Sequence, residues 1–125
     1  MTSATGDANL EREPESMAKT ESLFRDVNEH IATAAGQFGS EDAEFVCECA
    51  DPTCVERVEV PLEVYEGVRA EPTTFILVNG HEEGSIEEVV ETRRRFQIVE
   101  KVNGKVVALV KKLDPRKGKP GLEPG

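Results

Sequence analysis

The spacing of apolar residues predicts a helix near the start of the folded part of the chain. From about Met17 to Phe38, apolar residues recur every three or four positions, which is the period of one face of an α-helix. We expect this stripe to be the buried face of the helix: Leu23, Val27, Ile31, Ala34 and Phe38. Gly36 and Gly39 predict where the helix ends.

Three runs are predicted strands. Residues 73–78 (TTFILV) are rich in β-branched and aromatic residues, and residues 44–49 (EFVCEC) and 55–60 (VERVEV) are less regular. The Asp-Pro pair at positions 51 and 52 favours a tight turn between the last two. A short helix after Pro61 is predicted from residues three apart, which are Leu62, Tyr65 and Val68.

The C-terminal half carries two further local signals. Ser85 and Glu88 match a capping box, which predicts a helix whose buried side contains Ile86, Val89 and Val90. Asn103-Gly104 is a strong hairpin signal, which predicts that residues 96–102 pair with residues 105–112. These elements together predict an α+β domain: an N-terminal helix, a cysteine knuckle, and a small antiparallel sheet with a C-terminal hairpin and packed helices.

Composition sets the limits of this domain. Residues 1–16 and 114–125 are poor in apolar side chains, so we expect two disordered tails around one domain at 17–113. The chain has no Trp and one Tyr, which limits the core that so small a domain can build. A bound metal would help to hold such a fold together.

The net charge of −10 argues against a broad surface for nucleic acid or anionic membranes. The arginine run Arg93–Arg95 is interpreted as the basic end of a helix. The sequence has no apolar run of about 20 residues and no signal-peptide pattern at its start. We therefore expect a cytoplasmic protein in a reducing compartment, where stable disulfides are rare.

The candidate chemistry lies in Cys47-x-Cys49-x4-Cys54. Three clustered cysteines in a reducing compartment favour a metal over a disulfide framework. A tetrahedral zinc ion needs four N or S ligands, and His81 is the candidate for the fourth because it follows the most regular strand. The sequence therefore predicts one structural Zn²⁺ per chain, bound by Cys47, Cys49, Cys54 and His81. His30, next to the helical stripe, is the weaker metal candidate.

Other interpretations of the cysteines stay open at this point. They could be ordinary buried residues, a redox pair formed by Cys47 and Cys49, or ligands of an iron–sulfur centre. The polar neighbours of the cysteines argue against the first. Tyr65 and Arg69 lie four apart on one helix face, and we interpret them as a packed ring beside a surface guanidinium.

Several short motifs together resemble a family of small, uncharacterised bacterial proteins with a CxC-x4-C…GH pattern and zinc-binding character. They are Phe45-Val46-Cys47-Glu48-Cys49, Cys54, Tyr65 to Arg69, Phe75, Gly80-His81 and Asp114-Pro115-Arg116. The resemblance covers about Leu23 to Arg116 and implies that the cysteines and the Gly-His pair belong to one unit. It implies no activity.

The function predicted from the sequence is that of a non-catalytic zinc-containing interaction or regulatory module whose partner is another protein. The sequence predicts neither a membrane partner nor an enzyme, and it disfavours nucleic acid as a partner. One alternative is a thiol-based redox sensor or oxidoreductase that uses Cys47, Cys49 and Cys54. A second is weak nucleic-acid binding through Arg93–Arg95.

Overall fold

The computed structural model describes residues 13–116. Along this range the chain forms α1 (Pro14–Gln37), β1 (Asp42–Val46), β2 (Arg57–Pro61), α2 (Leu62–Val68), β3 (Thr74–Leu77), β4 (Glu87–Thr92), β5 (Gln97–Lys101) and α3 (Gly104–Lys112). β1 and β2 form an antiparallel pair, and the second sheet has the antiparallel order β3-β5-β4. The predicted α+β class is therefore confirmed.

α1 begins at Pro14, three residues before the predicted start of the domain. Proline suits the first turn of a helix because its missing N–H has no partner there, and Glu15 adds a favourable negative charge. The helix ends where Gly39 adopts a φ of +70°, a conformation that L-residues with a side chain rarely adopt. The predicted glycine end of this helix is confirmed.

The prediction that the apolar stripe of α1 is buried was wrong. Leu23 is 62% exposed and Phe38 is 83% exposed. The buried face instead combines Met17 and small alanines with polar residues, namely Glu21, Ser22, Arg25 and Asn28. The Arg25 guanidinium donates to the carbonyl oxygens of Pro72 (2.7 Å) and Val110 (2.8 Å). Directed polar contacts thus hold α1 against the rest of the domain.

A buried ion cluster connects α1 to the larger sheet. The Lys101 ammonium forms ion pairs with the carboxylates of Glu21 and Glu87, and all three side chains are fully buried. Lys101 also lies 4.2 Å from the ring centroid of Phe75, and Arg25 lies 4.5 Å from the same centroid. An aromatic ring attracts such cations through its quadrupole, so Phe75 helps to offset the desolvation of both.

The helix predicted from Ser85 and Glu88 is absent, since residues 87–92 form β4. Ser85 takes part in a local turn, where its hydroxyl donates to the Glu83 carboxylate at 2.8 Å, and Glu88 lies in β4. Ile86 is buried as predicted, whereas Val90 is 49% exposed. Pairing with β5, in which Val89 faces Val99, outweighs the local helical preference.

The predicted hairpin at Asn103-Gly104 was also wrong. The Asn103 side chain accepts hydrogen bonds from the backbone N–H groups of Lys105 (2.9 Å) and Val106 (3.2 Å), so it caps α3. Asparagine favours helix N-caps as strongly as turns, and Val106 and Val110 then bury one face of the helix. Arg93–Arg95, which the sequence analysis assigned to the basic end of a helix, are not in a helix. The last turn of α3 carries the basic residues Lys111 and Lys112.

The C-terminal end of the described range is held by ion pairs. The buried Arg69 pairs with Glu29 (2.6 Å) and with Asp114, and Arg116 pairs with Glu29 (2.9 Å) and Glu66 (2.8 Å). Residues 114–116, assigned to a tail from the sequence, therefore contact α1 and α2. The rest of both predicted tails lies outside the described residues. Within residues 13–116, no helix is long and apolar enough to cross a membrane.

Candidate metal centre

The three cysteines lie on a loop that folds back between β1 and β2. The backbone N–H of Cys47 donates to the carbonyl of Glu56 (3.1 Å), and that of Cys54 donates to the carbonyl of Asp51 (3.0 Å). The Asp51 carboxylate accepts from the N–H (2.9 Å) and the hydroxyl (2.7 Å) of Thr53. This local turn, of the kind that Asp favours, brings Cys54 back towards Cys47.

His81 reaches the cysteine loop because β3 lies next to it. The N–H of Glu48 donates to the carbonyl of Ile76 in β3 at 2.9 Å. After β3 the chain turns at Gly80, whose φ is +88°, and the N–H of His81 donates to the carbonyl of Val78 at 3.1 Å. The cysteine loop and the turn after β3 are therefore neighbours in the fold.

The ligand atoms of the four predicted residues converge on one point. The three sulfurs of Cys47, Cys49 and Cys54 and a ring nitrogen of His81 all lie within 4.8 Å of one another. The Nδ1 atom of His81 is 3.6 Å from the Cys47 sulfur and 3.7 Å from the Cys54 sulfur. In a tetrahedral site with Zn–S near 2.3 Å and Zn–N near 2.0 Å, sulfur and nitrogen lie about 3.6 Å apart.

Hydrogen bonding alone does not account for this cluster. One ring nitrogen carries either one hydrogen or one lone pair, so it cannot form good hydrogen bonds to several sulfurs at once. The cysteines are free thiols, without a disulfide among them. The arrangement can therefore hold a metal ion at its centre.

Backbone amides support negative charge on all three sulfurs. The N–H of Val78 donates to the Cys47 sulfur at 3.2 Å, and backbone hydrogen bonds at Asp51 and Glu56 favour the thiolate forms of Cys49 and Cys54. Such N–H···S contacts offset the net negative charge that three thiolates place on a divalent ion.

The metal-free thiols differ in acidity. A hydrogen bond from the Cys47 thiol lowers the pKa of Cys49 to about 5, and the same bond, together with burial, raises the pKa of Cys47. Burial also raises the pKa of Cys54. Metal binding must therefore displace protons from Cys47 and Cys54, because only thiolates are good ligands.

Glu48 is the residue beside the cluster whose role the sequence did not indicate. It is one of the polar neighbours of the cysteines, yet it is fully buried between Cys47 and Cys49. Its carboxylate accepts from the N–H of Ile76 (3.1 Å), the amide of Asn28 (2.8 Å) and the hydroxyl of Tyr65 (3.1 Å). Glu48 thus fastens the cysteine loop to β3 and α1. The only signal in the sequence was its position between two ligands.

The burial of the cysteines also differs from the expectation of a polar stretch. Cys47 and Cys49 are each 1% exposed and belong to the main apolar core beside Phe75 and Leu77. Burial of this kind is common for free cysteine. Packing alone does not explain why three cysteine sulfurs lie around one histidine nitrogen.

The weaker candidates lie away from the cluster. His30 is exposed, and its Nδ1 contacts the carbonyl of Asp26 at 3.0 Å. Arg93–Arg95 lie in the turn between β4 and β5, where Arg93 pairs with Glu91. Tyr65 is packed as predicted and stacks on Phe45 with centroids 4.3 Å apart, but Arg69 is buried and not a surface group.

No family model matches the chain, and no curated protein or solved structure matches it either. The functional conclusion therefore rests on the geometry of the site.

Proposed function

We propose that the protein is a non-catalytic interaction module whose fold is held by one structural zinc ion bound to Cys47, Cys49, Cys54 and His81. The observation that carries this proposal is the convergence of four donor atoms within 4.8 Å of one another, with the His81 nitrogen 3.6 Å and 3.7 Å from two of the sulfurs. Three thiolates and one imidazole form a donor set that suits Zn²⁺, whereas Mg²⁺ and Ca²⁺ prefer oxygen.

A structural role follows from the number of donors. Four protein ligands fill a tetrahedral shell, whereas catalytic zinc sites keep one position for water or substrate. The ion would join the loop after β1 to the turn after β3, two segments that are distant in sequence. Its binding energy would then contribute directly to the stability of the fold. Because the ligands must be thiolates, we place the protein in a reducing, cytoplasmic environment.

The test is the zinc content of the purified, untagged full chain, measured by elemental analysis. We expect about one zinc per chain, with zinc lost or bound more weakly in His81→Ala and unchanged in the matched control His30→Ala. Protein purified without chelator that contains no metal would contradict the proposal. So would a His81→Ala variant that keeps both its zinc and the melting temperature of the parent.

The sulfurs of Cys47 and Cys49 are free and lie within 4.8 Å of each other, which supports a second candidate, a redox sensor that releases zinc and forms a disulfide on oxidation. Mild peroxide treatment separates the two. The interaction module keeps its zinc and its melting temperature, whereas the sensor releases zinc and gains a disulfide that a thiol reductant reverses.

A further inference from the structure

The three-stranded sheet has one face that is only partly covered. α2 packs over β3, where Tyr65 and Val68 join Ile76 in the second core cluster. Between α2 and β4 an open groove of about 430 Å³ remains. We call it the sheet groove; its apolar lining consists of Val64, Val68, Val90, Phe96 and Ile98.

The apolar lining of the sheet groove stays in contact with solvent. Val90 is 49% exposed, and Val64, Phe96 and Ile98 are half-buried. β4 is an edge strand, and in the part of the chain that the structure describes no other strand pairs with its outer side. A groove that borders a free strand edge is a surface on which extended peptides commonly dock.

Acidic side chains outnumber basic ones around the sheet groove. Glu63 and Glu71 line it from the α2 side, and Glu91 and Arg93, which pair with each other, line it from the β4 side. At its end Thr74 pairs with Glu100 in β5, and Glu100 lies directly opposite Glu88 in β4. Like charges directly opposite each other in a sheet are destabilising.

Within the described range, four of these acidic groups have no ion-pair partner, since the one cation in the lining, Arg93, pairs with Glu91. Among residues 13–116, no Lys or Arg forms an ion pair with Glu63, Glu71, Glu88 or Glu100. A cationic group placed between Glu88 and Glu100 would relieve their repulsion. The charge pattern therefore favours a basic occupant, as does the net charge of −10. A second copy of this chain would bring another −10 and is disfavoured.

We propose that the sheet groove binds a short basic segment of another protein. Apolar side chains of that segment enter the groove beside Val90 and Ile98, and its Lys or Arg side chains pair with Glu88 and Glu100. This inference rests on the proposed function in one respect, because it names the partner class of a module whose fold the zinc ion holds.

The probe is a fluorescein-labelled peptide of about nine residues in which Lys alternates with Val and Ser, long enough to follow one strand edge. Its matched control carries Glu in place of each Lys. Fluorescence polarisation with the zinc-loaded full chain is expected to show saturable binding of the Lys peptide and none of the Glu peptide. Equal binding of both peptides, or no binding of the Lys peptide up to about 1 mM, would overturn the proposal.

The chain offers a matched control for the site. Glu44 and Glu59 form the same kind of exposed cross-strand pair between β1 and β2, away from the sheet groove. We expect Glu88→Gln with Glu100→Gln to weaken binding about tenfold, since two surface ion pairs of ordinary strength together amount to that factor. Glu44→Gln with Glu59→Gln should leave the affinity unchanged. If both double variants weaken binding equally, the attraction is non-specific and the groove is not the site.

Zinc content measured on the same samples separates the two proposals. A protein that holds one zinc and is folded but fails to bind the Lys peptide contradicts the sheet groove alone. A protein without zinc contradicts the proposed function, whatever the peptide does. The other possible occupant of the sheet groove is a second copy of this chain, which sedimentation of the zinc-loaded chain at several concentrations tests. Dimers that form with rising concentration and are lost in Val90→Ser would assign the groove to a second copy and overturn the proposal.

Discussion

A pair of substitutions on α1 tests the unexpected assignment of its buried face. Hydropathy predicts that Leu23 matters for stability and that Asn28 does not. The structure has the opposite arrangement, since Leu23 is 62% exposed and Asn28 is fully buried. We therefore compare Leu23→Lys, which keeps a good helix former, with Asn28→Ala, which removes a polar side chain from the core.

The expected magnitude follows from the contacts of Asn28. Its amide nitrogen donates to the carbonyl of Val46 and to the Glu48 carboxylate, and its oxygen accepts from the N–H of Val46, each at 2.8 Å. Loss of these three hydrogen bonds, of which the one to the Glu48 carboxylate is buried, costs about 3–5 kcal/mol. For Leu23→Lys we expect a change within about 0.5 kcal/mol, as for most surface substitutions.

The assay is urea and thermal denaturation of each variant at one fixed excess of zinc, because bound metal shifts apparent stability by mass action. For a domain of this size, the Asn28→Ala variant should melt at least about 12 °C below the parent. The Leu23→Lys variant should melt within a few degrees of it. If Leu23→Lys lost more stability than Asn28→Ala, the apolar stripe would be the buried face and the packing of α1 described above would be refuted.

Two further predictions concern the buried charges and the thiols. Lys101→Met should destabilise the domain by about 3–5 kcal/mol in denaturant titrations, because it leaves Glu21 and Glu87 buried without a cation. Adding Glu21→Gln should recover part of this loss, and a Lys101→Met variant as stable as the parent would contradict the ion cluster. Zinc affinity should rise with pH, with about two protons released per ion near neutral pH, because two thiol pKa values are raised and only that of Cys49 is lowered to about 5. Chelator competition at several pH values measures this, and a pH-independent affinity would contradict it.

The four residues of the candidate metal centre could be predicted from the sequence because their chemistry belongs to the residue types. Three clustered cysteines need a fourth donor, and a turn after a regular strand is a natural place for it. The hydrogen bonds that hold the cysteine loop in place could not be predicted in the same way. Glu48 holds the loop through contacts to Ile76, Asn28 and Tyr65, and nothing in the sequence indicates that these residues meet.

The errors in the C-terminal half have a common cause. A good helix-start signal begins at Ser85, yet residues 87–92 form β4. Backbone pairing with β5 and the ion pair between Glu87 and Lys101 are available only in the folded chain. Asn103 illustrates the reverse case, in which a predicted hairpin strand is a helix in the structure. Its side chain suits both a hairpin turn and a helix N-cap, and the burial of Val106 and Val110 favours the cap.

The sequence by itself determined the donor set, the strand that presents His81, the short helix after Pro61 and the α+β class, because each depends on local composition and spacing. Only the tertiary structure decided which face of α1 is buried, which segments pair into sheets and where the charged residues find partners. Those outcomes depend on contacts between residues far apart in sequence. Arg25, for instance, donates to the carbonyl of Val110 at 2.8 Å, and so a polar helix face can lie in the core.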